Sequence, residues 1–243
     1  MSSIIKIENL LKTYDQRVIL DNINLTIQEG EFVCFVGPSG EGKTTLLNLI
    51  GGFIKKDSGS IKFKGNEVIK PMKECVMVFQ EFDQLFTWKN LKDNVEFPLK
   101  NAVGTVPAAH KKLSKKEINQ LSAKYIKMVK LEGFEDFYPN QLSGGMKQRT
   151  AIARSLVTSP EVLLMDEPFG SLDAQTKKEL HMTLLDIWKK TNTTIIFVTH
   201  DVREALTLAD RIVVLKDGII NKIIDNQDKD ISENRVDEIT KLL

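Results

Sequence analysis

Eight consecutive residues, Gly37-Pro38-Ser39-Gly40-Glu41-Gly42-Lys43-Thr44, constrain this chain more than any others. They fit the pattern G-x-x-x-x-G-K-[ST] without a mismatch. Before them, Glu31 to Val36 is a short apolar run bounded by glycine, the signature of a buried strand. After them, Leu46, Leu47, Leu49 and Ile50 open a helix. A strand that feeds a helix through glycines gathers successive backbone N–H groups and a helix N-terminus around one point, which favours a polyanion. Residues Gly37 to Thr45 then form a phosphate cradle, with Lys43 reaching the terminal phosphates and the Thr44 hydroxyl ligating Mg²⁺. An ordinary glycine turn does not require this order of strand, loop and helix.

The chain has 243 residues, enough for a substantial core. Lys and Arg total 34 against 33 Asp and Glu, a formal charge of +1, so no global field draws it to nucleic acid. The local cluster His110-Lys111-Lys112, with Lys115 and Lys116, reads as a solvated helix face. No apolar run approaches the ~18 residues that span a bilayer. Met1 to Lys6 lacks the architecture of a secretory signal. A cytoplasmic protein that can dock on a membrane component is therefore expected. Cys34 and Cys75 stand apart, without histidine partners, and are expected to be reduced core residues rather than zinc ligands or a disulfide.

Along the chain, Ile4–Leu10 and Val18–Ile27 alternate as β-structure, with a turn through Tyr14-Asp15-Gln16-Arg17. Strands continue from Ser58 to Phe79. From Trp88 to Leu156 the pattern becomes helical, and Ser114-Lys115-Lys116-Glu117 reads as a capping box. Then α/β alternation resumes: a strand at Val162–Met165, a helix at Asp173–Lys190 and a strand at Thr194–Val198. A short helix at Ala205–Ala209 precedes a hairpin, Arg211–Leu215 with Ile219–Ile224, turning at Asp217-Gly218. The tail is charged, with a short helix at Val236–Leu243. His181 fits no motif and is expected at the surface. The implied class is α/β, a nucleotide-binding core interrupted by a helical insertion.

Two further strings carry chemistry. In Leu142-Ser143-Gly144-Gly145-Met146-Lys147-Gln148-Arg149, Ser143 can cap a helix running to Leu156, and the glycines let a phosphate approach the backbone. Val162-Leu163-Leu164-Met165-Asp166-Glu167-Pro168 is a buried strand ending in two carboxylates, one available to a metal and one to a water.

With these strings in this order, the chain resembles the ATP-binding-cassette ATPases, over essentially its whole length. The resemblance implies a P-loop, RecA-like core with an N-terminal antiparallel β-subdomain (1–87 and 157–225), a helical subdomain (88–156) and a C-terminal tail (226–243). It implies that Asp166 supports Mg²⁺ together with Thr44 and Gln80, that Glu167 is the general base, and that His200 holds the γ-phosphate bound by Lys43. Gln80, after the run Val76–Phe79, matches the glutamine that contacts Mg²⁺ and the catalytic water. Tyr14 matches the aromatic that stacks on adenine, although on its own it is equally a turn residue. Ser143, Gly144, Gly145 and Asp173 would cover the nucleotide of a second copy in a head-to-tail dimer. Asp173 can also cap the helix that follows it. Met146 replaces the commonest glutamine, while Ser143, Gly144 and Gly145 are intact.

The segments Phe79–Val95, Met165–Leu180 and Val198–Leu215 are most similar to importers of the nitrate, sulfonate, taurine and bicarbonate type. Thr87 stands where those sequences usually have proline, and Lys100–Leu113 is longer than usual. The resemblance implies membrane permease subunits docking near Phe82, Phe86 and Trp88, an extracytoplasmic solute-binding protein, and a peripheral place on the inner face of the cell membrane. The exposed-aromatic reading of Phe82, Leu85, Phe86, Trp88 and Leu91 competes with packing at the joint between subdomains. An exporter subunit, and a non-transport cassette of DNA or translation, remain as alternatives. A GTPase is disfavoured because the one Asn-Lys pair, Asn221-Lys222, lacks the aspartate that recognises guanine.

Overall fold

A computed structural model describes residues 2–79, 84–101 and 113–243. The chain begins as a hairpin of two long strands, β1 (Ser3–Tyr14) and β2 (Arg17–Gln28). Asp15 and Gln16 turn between them with φ of 46° and 68°, the left-handed pair whose twist matches a tight hairpin. Both strands run further than the alternation of their sequences indicates. Register shifts at Leu10/Lys12 and Lys12/Thr13 break the alternation without ending the pairing. With β4 (Ser58–Phe63) and β5 (Asn66–Glu67) they form an antiparallel sheet in the order β2-β1-β4-β5.

The second sheet holds β3 (Phe32–Val36), β6 (Cys75–Val78), β7 (Val162–Asp166), β8 (Thr194–Thr199), β9 (Arg211–Lys216) and β10 (Ile219–Asp225), ordered β10-β9-β3-β8-β7-β6. All but the edge strand β10 are parallel to their neighbours. β3 and β8 are buried along their whole length. This is why their sequences read as continuous apolar runs, covered on both faces.

Alternation along β3 sorts the core into two layers. Val33 and Phe35 face α1 (Lys43–Ile50) and the antiparallel sheet, joining Leu46, Leu47, Leu10 and Ile23. Phe32, Cys34 and Val36 face the helical side. There lie α2 (Leu91–Asn101), α3 (Lys115–Met128), α4 (Gly144–Leu156), α5 (Ala174–Thr191), α6 (Val202–Leu208) and α7 (Glu233–Thr240). The Ser114 capping box forms as expected: Glu117 N–H donates to Ser114 Oγ at 3.3 Å and Ser114 N–H to Glu117 Oε2 at 2.7 Å.

Two helices depart from expectation for the same reason, an unread cap. Asp201 accepts from the N–H groups of Arg203 and Glu204, so α6 starts at Val202 rather than Ala205. Ser232 accepts from Arg235 N–H, so α7 starts at Glu233 rather than Val236. Fully buried Ile239 docks α7 on the helical side of the core. Cys34 and Cys75 are buried free thiols, as expected.

Phe32 is fully buried, edge-on to Trp188 with ring centroids 5.6 Å apart. Phe32→Ala should lower unfolding free energy by about 3–5 kcal/mol, read as a lower urea midpoint at unchanged slope.

Candidate functional site

β8 is hydrogen-bonded to β3 on one side and β7 on the other, in parallel register: Val36 pairs with Thr199, and Asp166 with Val198. The three carboxyl ends therefore lie side by side, carrying Gly37, Glu167 and His200 directly beyond them. The carboxyl end of a parallel sheet is where ligands bind in open α/β folds.

The glycine loop turns from β3 into α1 by close approach. A Cβ on Gly37 would lie 2.3 Å from the Leu215 carbonyl oxygen, so no side chain fits there. Gly42 takes φ of 85° as the N-cap of α1. The Lys43 side chain folds back into its own loop and donates to the carbonyls of Gly37 (2.8 Å) and Pro38 (2.6 Å). Burial lowers its pKa from the usual lysine value, while the charges of Glu167, Asp166 and Glu41 pull it back up.

The two carboxylates ending β7 do different things. Thr44 Oγ1 donates to Asp166 Oδ1 at 3.0 Å, bringing together two hard oxygen donors at the mouth of the loop. These suit Mg²⁺, which is usually held by one or two protein oxygens, substrate phosphates and water. Among the described residues no cluster of three acids, histidines or cysteines could hold a metal ion. Glu167 departs from strand geometry with φ of 41°. Its N–H donates to the Val198 carbonyl at 3.0 Å, and its Oε2 lies 2.9 Å from His200 Nδ1.

Tyr14, Ile19, Ser39, Gly40, Gly42, Lys43, Thr44, Thr45 and Glu167 line one cleft of about 330 Å³. Tyr14, at the end of β1, and Glu167, just beyond β7, are far apart in sequence yet line the same cleft with the glycine loop. Tyr14 is half exposed, and the Lys12 ammonium, itself paired with Asp57 at 3.0 Å, lies 4.8 Å from its ring centroid. Ile19 belongs to no motif; it reaches the cleft from β2, which passes the loop so closely that a Cβ on Gly42 would lie 3.0 Å from the Ile19 carbonyl oxygen. Gln80, Phe82 and His110 lie outside the described residues.

Ser143, Gly144, Gly145 and Asp173 do not line this cleft. Ser143 Oγ accepts from Met146 N–H at 3.3 Å and caps α4. Asp173 caps α5, accepting from Thr176 N–H (3.0 Å) and Oγ1 (2.6 Å), and these bonds, the hydroxyl's first, lower its pKa. The two helix starts are close: a Cβ on Gly145 would meet Thr176 Cγ2 at 2.6 Å. An Arg149–Glu179 ion pair of 3.1 Å joins the helices one turn further on.

One open alternative and one expectation are resolved here. Of the residues for which an exposed patch competes with packing at the subdomain joint, Leu85 and Leu91 belong to the core at 4% and 0% exposure. Trp88 is 72% exposed, and Phe86 is half-buried against Phe97 and Arg154. The mixture of core and surface lies on the turns that lead into α2, where no regular periodicity sorts the side chains. His181 is not a surface residue either. It flanks the buried stripe Leu180, Thr183, Leu184 and Ile187 of α5, and its Nε2 lies 2.7 Å from buried Glu204.

Burial raises the Asp166 pKa above the usual carboxylate range, the Glu167 charge adds to this, and Thr44 and Lys43 oppose it. A carboxyl raised in the folded state contributes stability below its unfolded pKa and loses it as pH rises through the folded one. At neutral pH the ionised Asp166 thus carries a cost that an amide lacks. Asp166→Asn should raise the melting temperature of the nucleotide-free protein at neutral pH, and the gain should shrink as the solution is acidified.

A family model described as ABC transporter matches residues 20–170. The nitrate import ATP-binding protein of Synechocystis sp. is 49% identical over 198 residues, covering 82% of this chain and 71% of that protein. The aliphatic sulfonates import ATP-binding protein of Bacillus cereus is 43% identical over 211 residues, covering 86% and 79%. Among solved structures, a dimeric ATP-binding cassette in a post-hydrolysis state bound to ADP and Pi is similar at 33% identity, with a TM-score of 0.76, covering 91% of this chain and 98% of that one. These similarities extend well beyond the loop Gly37–Thr44, through Ser143 and Asp166 to His200, and the chain belongs to the ABC transporter family as one of its ATP-hydrolysing subunits.

Proposed function

We propose that this chain is the ATPase subunit of a membrane importer for a small anionic solute, and that ATP closes two copies head to tail. The observation that carries the reading is the Glu167–His200 contact at 2.9 Å, set at the ends of adjoining strands beside the phosphate loop. The names of the relatives, which import nitrate and sulfonates, support the solute class. Among the described residues no helix is long and apolar enough to cross a membrane, and the likeness to import ATP-binding proteins supports separate permease subunits as partners. The chain would act as one ATPase domain, 1–243, with 88–156 as its helical part and 226–243 as its tail, peripheral on the inner face of the cell membrane.

In this reading the backbone of Gly37, Pro38, Ser39, Gly40, Glu41, Gly42, Lys43, Thr44 and Thr45 cradles the phosphates, and Tyr14 stacks on the base. Lys43 exchanges its loop carbonyls for phosphate oxygens. Thr44 and Asp166, with Gln80, would hold Mg²⁺, which neutralises phosphate charge when bound. Glu167 accepts a proton from the attacking water at its carboxylate, and His200 orients that carboxylate while facing the γ-phosphate. Phosphoryl transfer needs mostly positioning and charge neutralisation, which is what these groups supply. Ser143, Gly144, Gly145 and Asp173 would complete the site from the second copy, since two neighbouring helix starts offer N–H groups to phosphate. Phe86 and Trp88, with Phe82, would receive the permease, and an extracytoplasmic binding protein would deliver the solute.

Lys43→Ala should abolish hydrolysis, and a purified variant turning over at the wild-type rate sinks the phosphate-loop assignment. Glu167→Gln keeps the shape and removes the base, so turnover should fall by about 10²–10⁴ while ATP still binds. With Mg²⁺-ATP that variant should elute as a dimer in size-exclusion chromatography; a nucleotide-loaded monomer counts against the closed pair. Trp88→Asp should impair transport and membrane assembly while leaving ATPase activity of the isolated subunit within about two-fold, because truncating an exposed aromatic anchor acts at the interface.

A further inference from the structure

Glu167 is held from two directions by a single strand end. Its N–H donates to the Val198 carbonyl at 3.0 Å, and its Oε2 meets His200 Nδ1 at 2.9 Å. Val198 and His200 flank one residue, Thr199, which is 2% exposed. The Thr199 hydroxyl donates to Glu204 Oε2 and accepts from Asp201 N–H at 3.0 Å. Glu204 is buried on α6, and its other oxygen, Oε1, lies 2.7 Å from His181 Nε2 on α5. Phe169, two residues beyond Glu167, packs its ring 5.5 Å from that of His181 and 5.6 Å from that of Phe197.

A carboxylate taken out of water is costly unless it is fully partnered, and an apolar side chain of similar volume is often as stable or more so. Stability alone therefore gives no reason for an acid here. What the acid does provide is direction: its two oxygens tie α5 and α6 to one hydroxyl at the carboxyl end of β8. A satisfied buried network fixes a single arrangement of its members.

We propose that Glu204 is a positioning residue of the hydrolytic centre. It clamps Thr199 so that the Val198 carbonyl and the His200 imidazole meet Glu167 at a fixed separation, and His181 holds Glu204 from α5. The proposal rests on the reading of Glu167 and His200 as the hydrolytic pair. It assigns no contact with nucleotide to Glu204, Thr199 or His181. It places α5, which Asp173 caps, in mechanical connection with the Glu167 carboxylate.

The test uses the full chain, measuring turnover and equilibrium ATP affinity for Thr199→Val, Thr199→Ser and Glu204→Gln. Misplacing a catalytic group by about 1 Å can cost on the order of 10² in rate. Thr199→Val, nearly isosteric but without the hydroxyl, should lower kcat at least about ten-fold with ATP affinity within about two-fold. Thr199→Ser, which keeps the hydroxyl, should restore most of the loss. The Thr199→Val/Glu204→Gln double variant should be no worse than the poorer single one, because both cut the same link. Wild-type turnover in Thr199→Val overturns the proposal. So does a Ser variant as poor as Val, additive losses in the double variant, or parallel loss of turnover and ATP affinity, which marks a merely structural role. Glu167→Gln separates the layers. If it turns over normally, the underlying reading falls and the proposal with it; if it is inactive while Thr199→Val is normal, only the role of Glu204 is lost.

Discussion

The site depends on the parallel pairing of β8 between β3 and β7. Parallel strands end together, so one alignment brings the phosphate loop after Val36, the acids after Met165 and the histidine after Thr199 to a single edge. No side chain has to reach far. His200 meets Glu167 because β8 and β7 are neighbours, and Asp166 meets Thr44 because β3, which leads into α1, and β7 flank the same strand. The pairing in turn depends on core packing from both faces. α1 and the antiparallel sheet cover one face, and helices cover the other.

What was legible in the sequence was what local chemistry dictates. The glycine loop, the capping box at Ser114, the caps at Ser143 and Asp173 and the Asp217-Gly218 turn each announce themselves within a few residues. Continuous apolar runs marked β3, β7 and β8 because those strands are covered on both sides. Less legible were features set by tertiary partners. The irregular β1–β2 pairing hid the true length of both strands. His181 read as solvent-facing because nothing in α5 indicates that α6 brings Glu204 against it. Leu85 and Trp88 look alike in sequence, yet only packing against α2 and α4 decides that one is core and the other exposed.

The site also divides its charge between differently solvated places. Lys43 is nearly buried, with its ammonium among carbonyls. Asp166 is desolvated beside the Thr44 hydroxyl, whereas the His200 side chain is about half exposed at 56%. The lysine and the aspartate thus sit in low dielectric, where their fields are strong, and the imidazole sits at the solvent-exposed rim. Such a division suits a reaction in which charge must be met in place while one partner approaches and leaves.

The two cysteines have a practical consequence. Cys34 lies at full burial in β3, and desolvation, reinforced by the Glu204 charge, raises its pKa well above the usual thiol value. Cys75 is likewise buried, and its pKa is pushed up to about 12. Alkylating and oxidising reagents act on accessible thiolate, so neither native sulfur competes for them in the folded protein. A thiol introduced at a helix start or beside the cleft would be the reactive one, and distances between two copies could be followed by labels without first stripping the chain of its own cysteines.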